Sequence, residues 1–275
     1  MRDALIAGSM IALTFGLLGV FVVLRRVVFI GMTVAQVASA GTAFSFFLAA
    51  WAGSLVSIFA SPWWHHWGDI ITSSLFTLFA VFVIARSSKG KLIPSDAIVG
   101  LAFSAAWAMG ILFVANSGQG IAEVRNLVQG DLLLVCTHHL VIIAAVTMVT
   151  WAILLTCWKD HVLIAFDPAM ARALGYESNR WDLIFYALLG LAVVAGIRFA
   201  GLLLIFTYLV VPPLAGLFLG RSTASMAVIS VSTALIATSL GLGASFHWDL
   251  PASPLISIFC VAIALMAALL KRMRE

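Results

Sequence analysis

Charge is sparse in this chain: across 275 residues Asp, Glu, Lys and Arg make up 9%, against 63% apolar residues. Soluble globular domains carry roughly a quarter charged residues, so that class is excluded, and so is a disordered chain. Cysteine is scarcer still. Cys136, Cys157 and Cys260 form no C-x-x-C pair, which removes a disulfide-stapled secreted domain, a thiol redox centre and a zinc finger. Motifs for nucleotide and hydrolytic chemistry are missing as well. Ser88-Lys89-Gly90-Lys91 lacks the leading glycine and final hydroxyl of a phosphate loop, and neither H-E-x-x-H nor G-x-S-x-G occurs. The chain is expected not to be an enzyme. Its apolar runs hold almost no acids, whereas ion-coupled carriers keep ionisable groups at mid-membrane depth.

Long apolar runs dominate what is present, and the mean hydropathy is +1.15. They cover about 4 to 24, 28 to 60, 70 to 85, 97 to 115, 137 to 158, 183 to 197, 201 to 219, 223 to 243 and 253 to 270. A crossing needs about 20 residues, so the pattern predicts an all-α polytopic membrane protein with eight or nine transmembrane helices. The second run is too long for one straight span and contains Gly31, Gly41 and Gly53, which predicts a break inside it.

The net charge of +4 forms no basic stripe, which argues against nucleic acid as a partner; its placement reports topology instead. With the C-terminal Lys271, Arg272 and Arg274 in the cytoplasm, Arg221, Lys159, Arg172, Arg180, Arg86, Lys89, Lys91, Arg25 and Arg26 fall on that same side. Only Arg2, Arg125 and Arg198 remain outside, the bias of the positive-inside rule. Arg25-Arg26 separates the first apolar run from Ala38-Ser39-Ala40, so a cleaved signal peptide is not expected. Trp63, Trp64, Trp67 and Trp248 suit interfacial anchors, and Arg198, within Gly196 to Gly201, suits the tip of an outer hairpin.

The largest cytoplasmic loop, about 159 to 181, carries its own helix signals. Asp167 is an N-cap, Pro168 fits the first helical position, Arg172 complements the C-terminal dipole and Gly175 suits a left-handed stop. Phe166, Met170 and Leu174, spaced by four, would form an apolar stripe on that helix. Such a helix either docks a soluble partner or tucks against the bundle.

Four segments together resemble the membrane permease of the zinc, manganese and iron class of ABC importers. They are Gly16 to Arg26 with Ile30-Gly31, Ser95 to Gly100, Phe166 to Gly175, and Gly201-Leu202-Leu203-Leu204 followed by Val211-Pro212-Pro213. The resemblance implies a single permease domain over residues 1 to 275 in a bacterial cytoplasmic membrane, paired with a second copy. It also implies an ATPase subunit docked on Asp167 to Gly175, ATP and magnesium bound by that partner and not by this chain, and an external solute-binding protein. Gly130-Asp131 resembles the family's Gly-Asp in an external connection, where Glu123, Arg125 and Asp131 would suit docking of the binding protein.

One departure bears on the cargo. Where manganese and zinc members typically carry an aspartate after the glycine and a histidine four positions on, this chain has Met32 and Gln36. A thioether and a carboxamide suit a softer or transient contact, or else core packing and an interhelical hydrogen bond. Pro212 and Pro213 must free backbone carbonyls and are expected to kink their helix on the same path. Near the outer face, His65, His66 and Asp69 in the first external loop, His138 and His139, and His247 with Asp249 are candidate metal ligands or plain headgroup-level residues. His161 is placed in the cytoplasm, away from any uptake role. The implied function is import of a divalent transition metal. The alternatives are a chelated or organic cargo within the same family, and an ATP-independent secondary carrier.

Overall fold

A computed structural model describes residues 2–52, 62–87, 95–117, 130, 132 and 137–273. Among them are ten α-helices and no strand: α1 (Arg2–Leu24), α2 (Val28–Ala52), α3 (Pro62–Ser87), α4 (Ser95–Ala115), α5 (Thr137–Thr156), α6 (Trp158–Phe166), α7 (Pro168–Ala173), α8 (Ser178–Leu219), α9 (Thr223–Trp248) and α10 (Ala252–Arg272). Helices are what an apolar solvent selects, because each backbone N–H and C=O is satisfied within its own segment. Hydroxyls follow the same rule: Thr72, Ser73, Thr207, Thr238 and Ser257 each donate to the carbonyl four residues back. Eight candidate spans result, counting α8 as two, and up to nine if α5 and α6, bent by 71°, count as one span.

The 42-residue α8 folds back on itself. Its backbone leaves the helical region at Gly201 (φ 73°, ψ 165°), a conformation that favours glycine. Phe185, before the break, has its ring 6.3 Å from Phe21, while a Cβ on Gly19 would meet the Leu209 carbonyl oxygen at 2.6 Å. A straight helix would separate Phe185 from Leu209 by about 36 Å, so both arms must return to the same end of α1. A hairpin at the end of the expected Gly196 to Gly201 stretch is thus present. Ser253 at the start of α10 closes its tip by donating to the Ala200 carbonyl at 3.0 Å.

Helix α1 is the centre of the bundle, packed on both arms of α8 and on α9, with α5 beside it. Its glycines let backbones meet: a Cβ on Gly16 would stand 3.3 Å from Val231 Cα, and Ser230 donates to the Gly16 carbonyl at 2.7 Å. The fully buried Phe15, Leu18, Phe21, Leu189, Leu204 and Tyr208 fill the space between.

Helix α2 packs against α3, α4 and α8. The break expected inside the second apolar run is absent over 28–52: α2 passes unbroken through Gly31 and Gly41, and Gly53 lies outside the described residues. Gly41 serves packing instead, since a Cβ there would lie 2.6 Å from Ser73 Cα. Backbone angles stay helical through Pro212 and Pro213, and the departure occurs at Gly201, where a missing Cβ makes a left-handed angle inexpensive.

Candidate functional site

The segment between α5 and α8 builds an exposed apolar feature with a defined geometry. After the bend at Cys157, α6 runs to Phe166, Asp167 interrupts the helix, and α7 begins at Pro168. The Asp167 carboxylate accepts from the backbone N–H of Ala169 at 3.0 Å and of Met170 at 2.9 Å, the N-cap read from the sequence. Regular helix ends at Ala173, shorter than the Asp167 to Gly175 reading, because Leu174 is the cap and Gly175 turns left-handed at φ 88°. Arg172 lies in the last turn. The Tyr176 hydroxyl donates to Asp160 at 3.0 Å and ties the exit of α7 back to α6. That hydrogen bond, and then the charge of Asp160, hold the proton on the Tyr176 hydroxyl and raise its pKa.

Phe166, Met170 and Leu174 are 64%, 54% and 59% exposed, while Ala171 between them is buried. The segment therefore turns one small residue inward and holds three large apolar ones outward. Phe166 belongs to the end of α6 and Leu174 to the cap of α7, so the stripe spans two short elements rather than one helix.

Directly behind this segment lies a buried polar cluster that sequence reasoning missed. Arg25, between α1 and α2, is 5% exposed at its side chain and pairs through Nη1 with Asp182 of α8. Its Nη2 lies 3.2 Å from His161 Nδ1 on α6, and the guanidinium stands over the Phe185 ring at 4.4 Å. His161 is fully buried, with its ring 5.6 Å from Phe21 and 5.2 Å from Trp181. Burial, then the Arg25 charge, push its pKa down to about 4, so the imidazole is neutral at physiological pH. The available signal was Asp182, an acid at the edge of an apolar run.

The residues expected to line a path are distributed over two helices. Gln36 on α2 is 4% exposed and its Oε1 is buried without a hydrogen-bond partner; Met32, one turn earlier, is half-buried. Thr33 beside them donates to the Val99 carbonyl of α4 at 3.3 Å. Pro212 and Pro213 are buried in the returning arm of α8, where Pro213 faces Gly19. Gly31 faces Leu209 of the same arm.

Among the described residues no group of three or more His, Cys, Asp or Glu side chains gathers as a metal centre. His65 and His66 fall in the first turns of α3, and His138 and His139 in the first turn of α5, but their side chains lie outside the described residues. The expected external loop around them is helix from Pro62 onward. Proline at N1 was the signal for it. Asp69 accordingly sits inside α3 rather than in a loop. It is 7% exposed and lines a cavity of about 90 Å³ with Thr42, Ser73 and Ser74. His247 and Asp249 are exposed at the end of α9, where Asp249 caps the helix at φ 54°. Glu123, Arg125 and Asp131, and the Arg198 side chain, lie outside the described residues.

The model of the ABC 3 transport family matches residues 1–271. The manganese import system permease protein ScaB of Streptococcus gordonii is 24% identical over 267 residues, covering 97% of this chain and 90% of the relative. The high-affinity zinc uptake system membrane protein ZnuB of Buchnera aphidicola is 24% identical over 273 residues, covering 97% and 96%. Among solved structures, PsaBC from Streptococcus pneumoniae in complex with Fab superposes with a TM-score of 0.82 at 21% identity, covering all of this chain and 95% of the other. That likeness establishes the fold.

Proposed function

The chain belongs to the ABC 3 transport family, and from that premise we propose that it is the permease subunit of an ATP-driven importer of divalent transition metal ions, with zinc and manganese ahead of iron. Relatives named for manganese import and zinc uptake along nearly their whole length support the cargo class. The observation that carries the reading is the α6–α7 segment. A chain without a phosphate-loop motif holds three large apolar side chains outward on a segment of two short helices, the second of them capped, which suits docking of a soluble ATPase that supplies the ATP and magnesium.

In this reading the α7 face is cytoplasmic and so is the C-terminus, in keeping with the basic residues at Lys159, Arg172, Arg180 and Lys271 to Arg274. The chain sits in a bacterial cytoplasmic membrane and pairs with a second copy. An external binding protein releases the metal between the two. Closure of the ATPase pair pushes α7 and rocks α1 and α8, so that cargo passes the face of Met32 and Gln36 and the proline-bearing arm at Pro212 and Pro213.

A second reading follows from the same two residues. Met32 and Gln36 supply no charge, so a chelated metal or organic cargo that brings its own ligands is the alternative. One measurement separates them: ATP hydrolysis by the permease–ATPase complex in nanodiscs with its binding protein, with free zinc, manganese or iron(II) and then with chelated metal. Stimulation by one free ion names the cargo; stimulation by the chelate alone replaces the free-ion reading. ATP-independent uptake by the permease alone would overturn both.

A further inference from the structure

The coupling reading leaves open how displacement of α7 reaches the membrane helices, and the Arg25 cluster supplies a route. Resting on that reading, we propose that Arg25 is the positioning residue that fixes both flanks of the docking segment to α1, so that movement of α7 is delivered to α1 and α8.

The geometry converges on one side chain. Helix α6 enters the docking segment and α8 leaves it, and Arg25 holds both: His161 of α6 at 3.2 Å and Asp182 of α8 through an ion pair. Phe185, one turn further along α8, lies under the guanidinium at 4.4 Å. The Tyr176 to Asp160 hydrogen bond closes the segment on itself, so α6, α7 and the start of α8 move as one lever. A planar fork with five donors meets two partners and a ring face at once, which the single ammonium of a lysine does not.

The turn that carries Arg25 is built to aim it inward. Arg26 takes φ 58°, while its N–H donates to Val23 and that of Val27 to Val22, a left-handed helix stop occupied by arginine where glycine would cost less. The Arg25 side chain is buried as a result and Arg26 is exposed. The cluster also keeps two buried nitrogens unpaired, Arg25 Nε and His161 Nε2. Buried polar atoms seldom stay unpaired. A second arrangement that paired them would give the cluster the two states a coupling element needs.

The test is manganese(II) uptake per ATP hydrolysed in proteoliposomes holding the permease, its ATPase and its binding protein. Arg25→Met is expected to assemble and hydrolyse ATP within about twofold of the parent while uptake per ATP falls about tenfold. Arg26→Met, altering the exposed neighbour, is expected to leave that ratio unchanged. A residue that only packs would lower yield, ATP hydrolysis and uptake together. Should Arg25→Met not reach the membrane, Asp182→Asn decides: an unchanged ratio overturns the proposal and a reduced one sustains it. Complex formation in Leu174→Asp is scored separately. Normal assembly there removes the docking reading itself, whereas lost assembly with a normal ratio in Arg25→Met removes only the role of Arg25.

Discussion

Replacing Asp167 by alanine tests the docking segment at its smallest structural unit. In α7 the carboxylate satisfies the N–H groups of Ala169 and Met170, at 3.0 and 2.9 Å, that have no partner within the helix. Six residues cannot sustain a helix in water by propensity alone, so the cap and the Gly175 turn decide whether Met170 and Leu174 are presented together. Loss of an N-cap costs about 1 kcal/mol, and the exposed position leaves no packing to compensate. If the ATPase binds only the ordered helix, that free energy appears as an affinity loss of about fivefold. Asp167→Asn keeps an acceptor in the same place and should bind normally, since asparagine caps as well as aspartate. The assay is titration of purified ATPase onto permease in nanodiscs. Asp167→Ala matching the parent affinity while Leu174→Asp loses it would refute the argument, showing that the apolar contact forms without a preformed helix.

Two further outcomes follow from the packing and the buried cluster. Gly19→Ala places a methyl 2.6 Å from the Leu209 carbonyl oxygen and 2.7 Å from Pro213 Cγ, so α1 and the returning arm of α8 must separate, at about 1–3 kcal/mol. Gly243→Ala meets nothing within 4 Å and should stabilise α9 by up to about 1 kcal/mol; thermal unfolding in detergent should give opposite signs for the two. His161, with its pKa pushed down from 6.5 to about 4, is neutral when folded, so the unfolded chain binds the extra proton between those values. The His161 contribution to thermal stability should therefore be lost as pH drops from about 6.5 towards 4, the charged groups around it being Arg25, Asp160 and, beyond Arg25, Asp182. His161→Phe, which keeps the ring contacts to Phe21, Trp181 and Phe185, should flatten that slope; an unchanged slope assigns it to other groups.

Hydropathy alone located the spans, because it acts on each segment independently of its neighbours. The Asp167-Pro168 to Gly175 punctuation was legible for the same reason: capping is local chemistry, and its hydrogen bonds span two or three residues. Glycine misled the reading where its use was not local. Gly41 reads as a breaker in isolation, yet its role is set by Ser73 on another helix, and Gly201, in a less conspicuous setting, is where the backbone turns. Arg25 was absorbed by the positive-inside count, which explains a cation at a helix end without asking for a partner. Its partner Asp182 lies 157 residues away, a separation no motif spans.

The Met32 and Gln36 substitution becomes more informative with the structure than it was as a departure from a family pattern. Met32 is half-buried and Gln36 is 4% exposed, and the Gln36 Oε1 has no hydrogen-bond partner among the described residues. An orphaned carbonyl oxygen at such a position is costly unless something else meets it in another state. A neutral oxygen and a thioether attract a divalent ion far less than a carboxylate and an imidazole would, which shortens residence and eases release. For a transporter driven by a partner's ATP, holding cargo weakly inside the membrane is compatible with high affinity, provided capture occurs on the external binding protein. The affinity step and the crossing step then lie on different polypeptides, which is why a permease with a discharged path remains consistent with metal import.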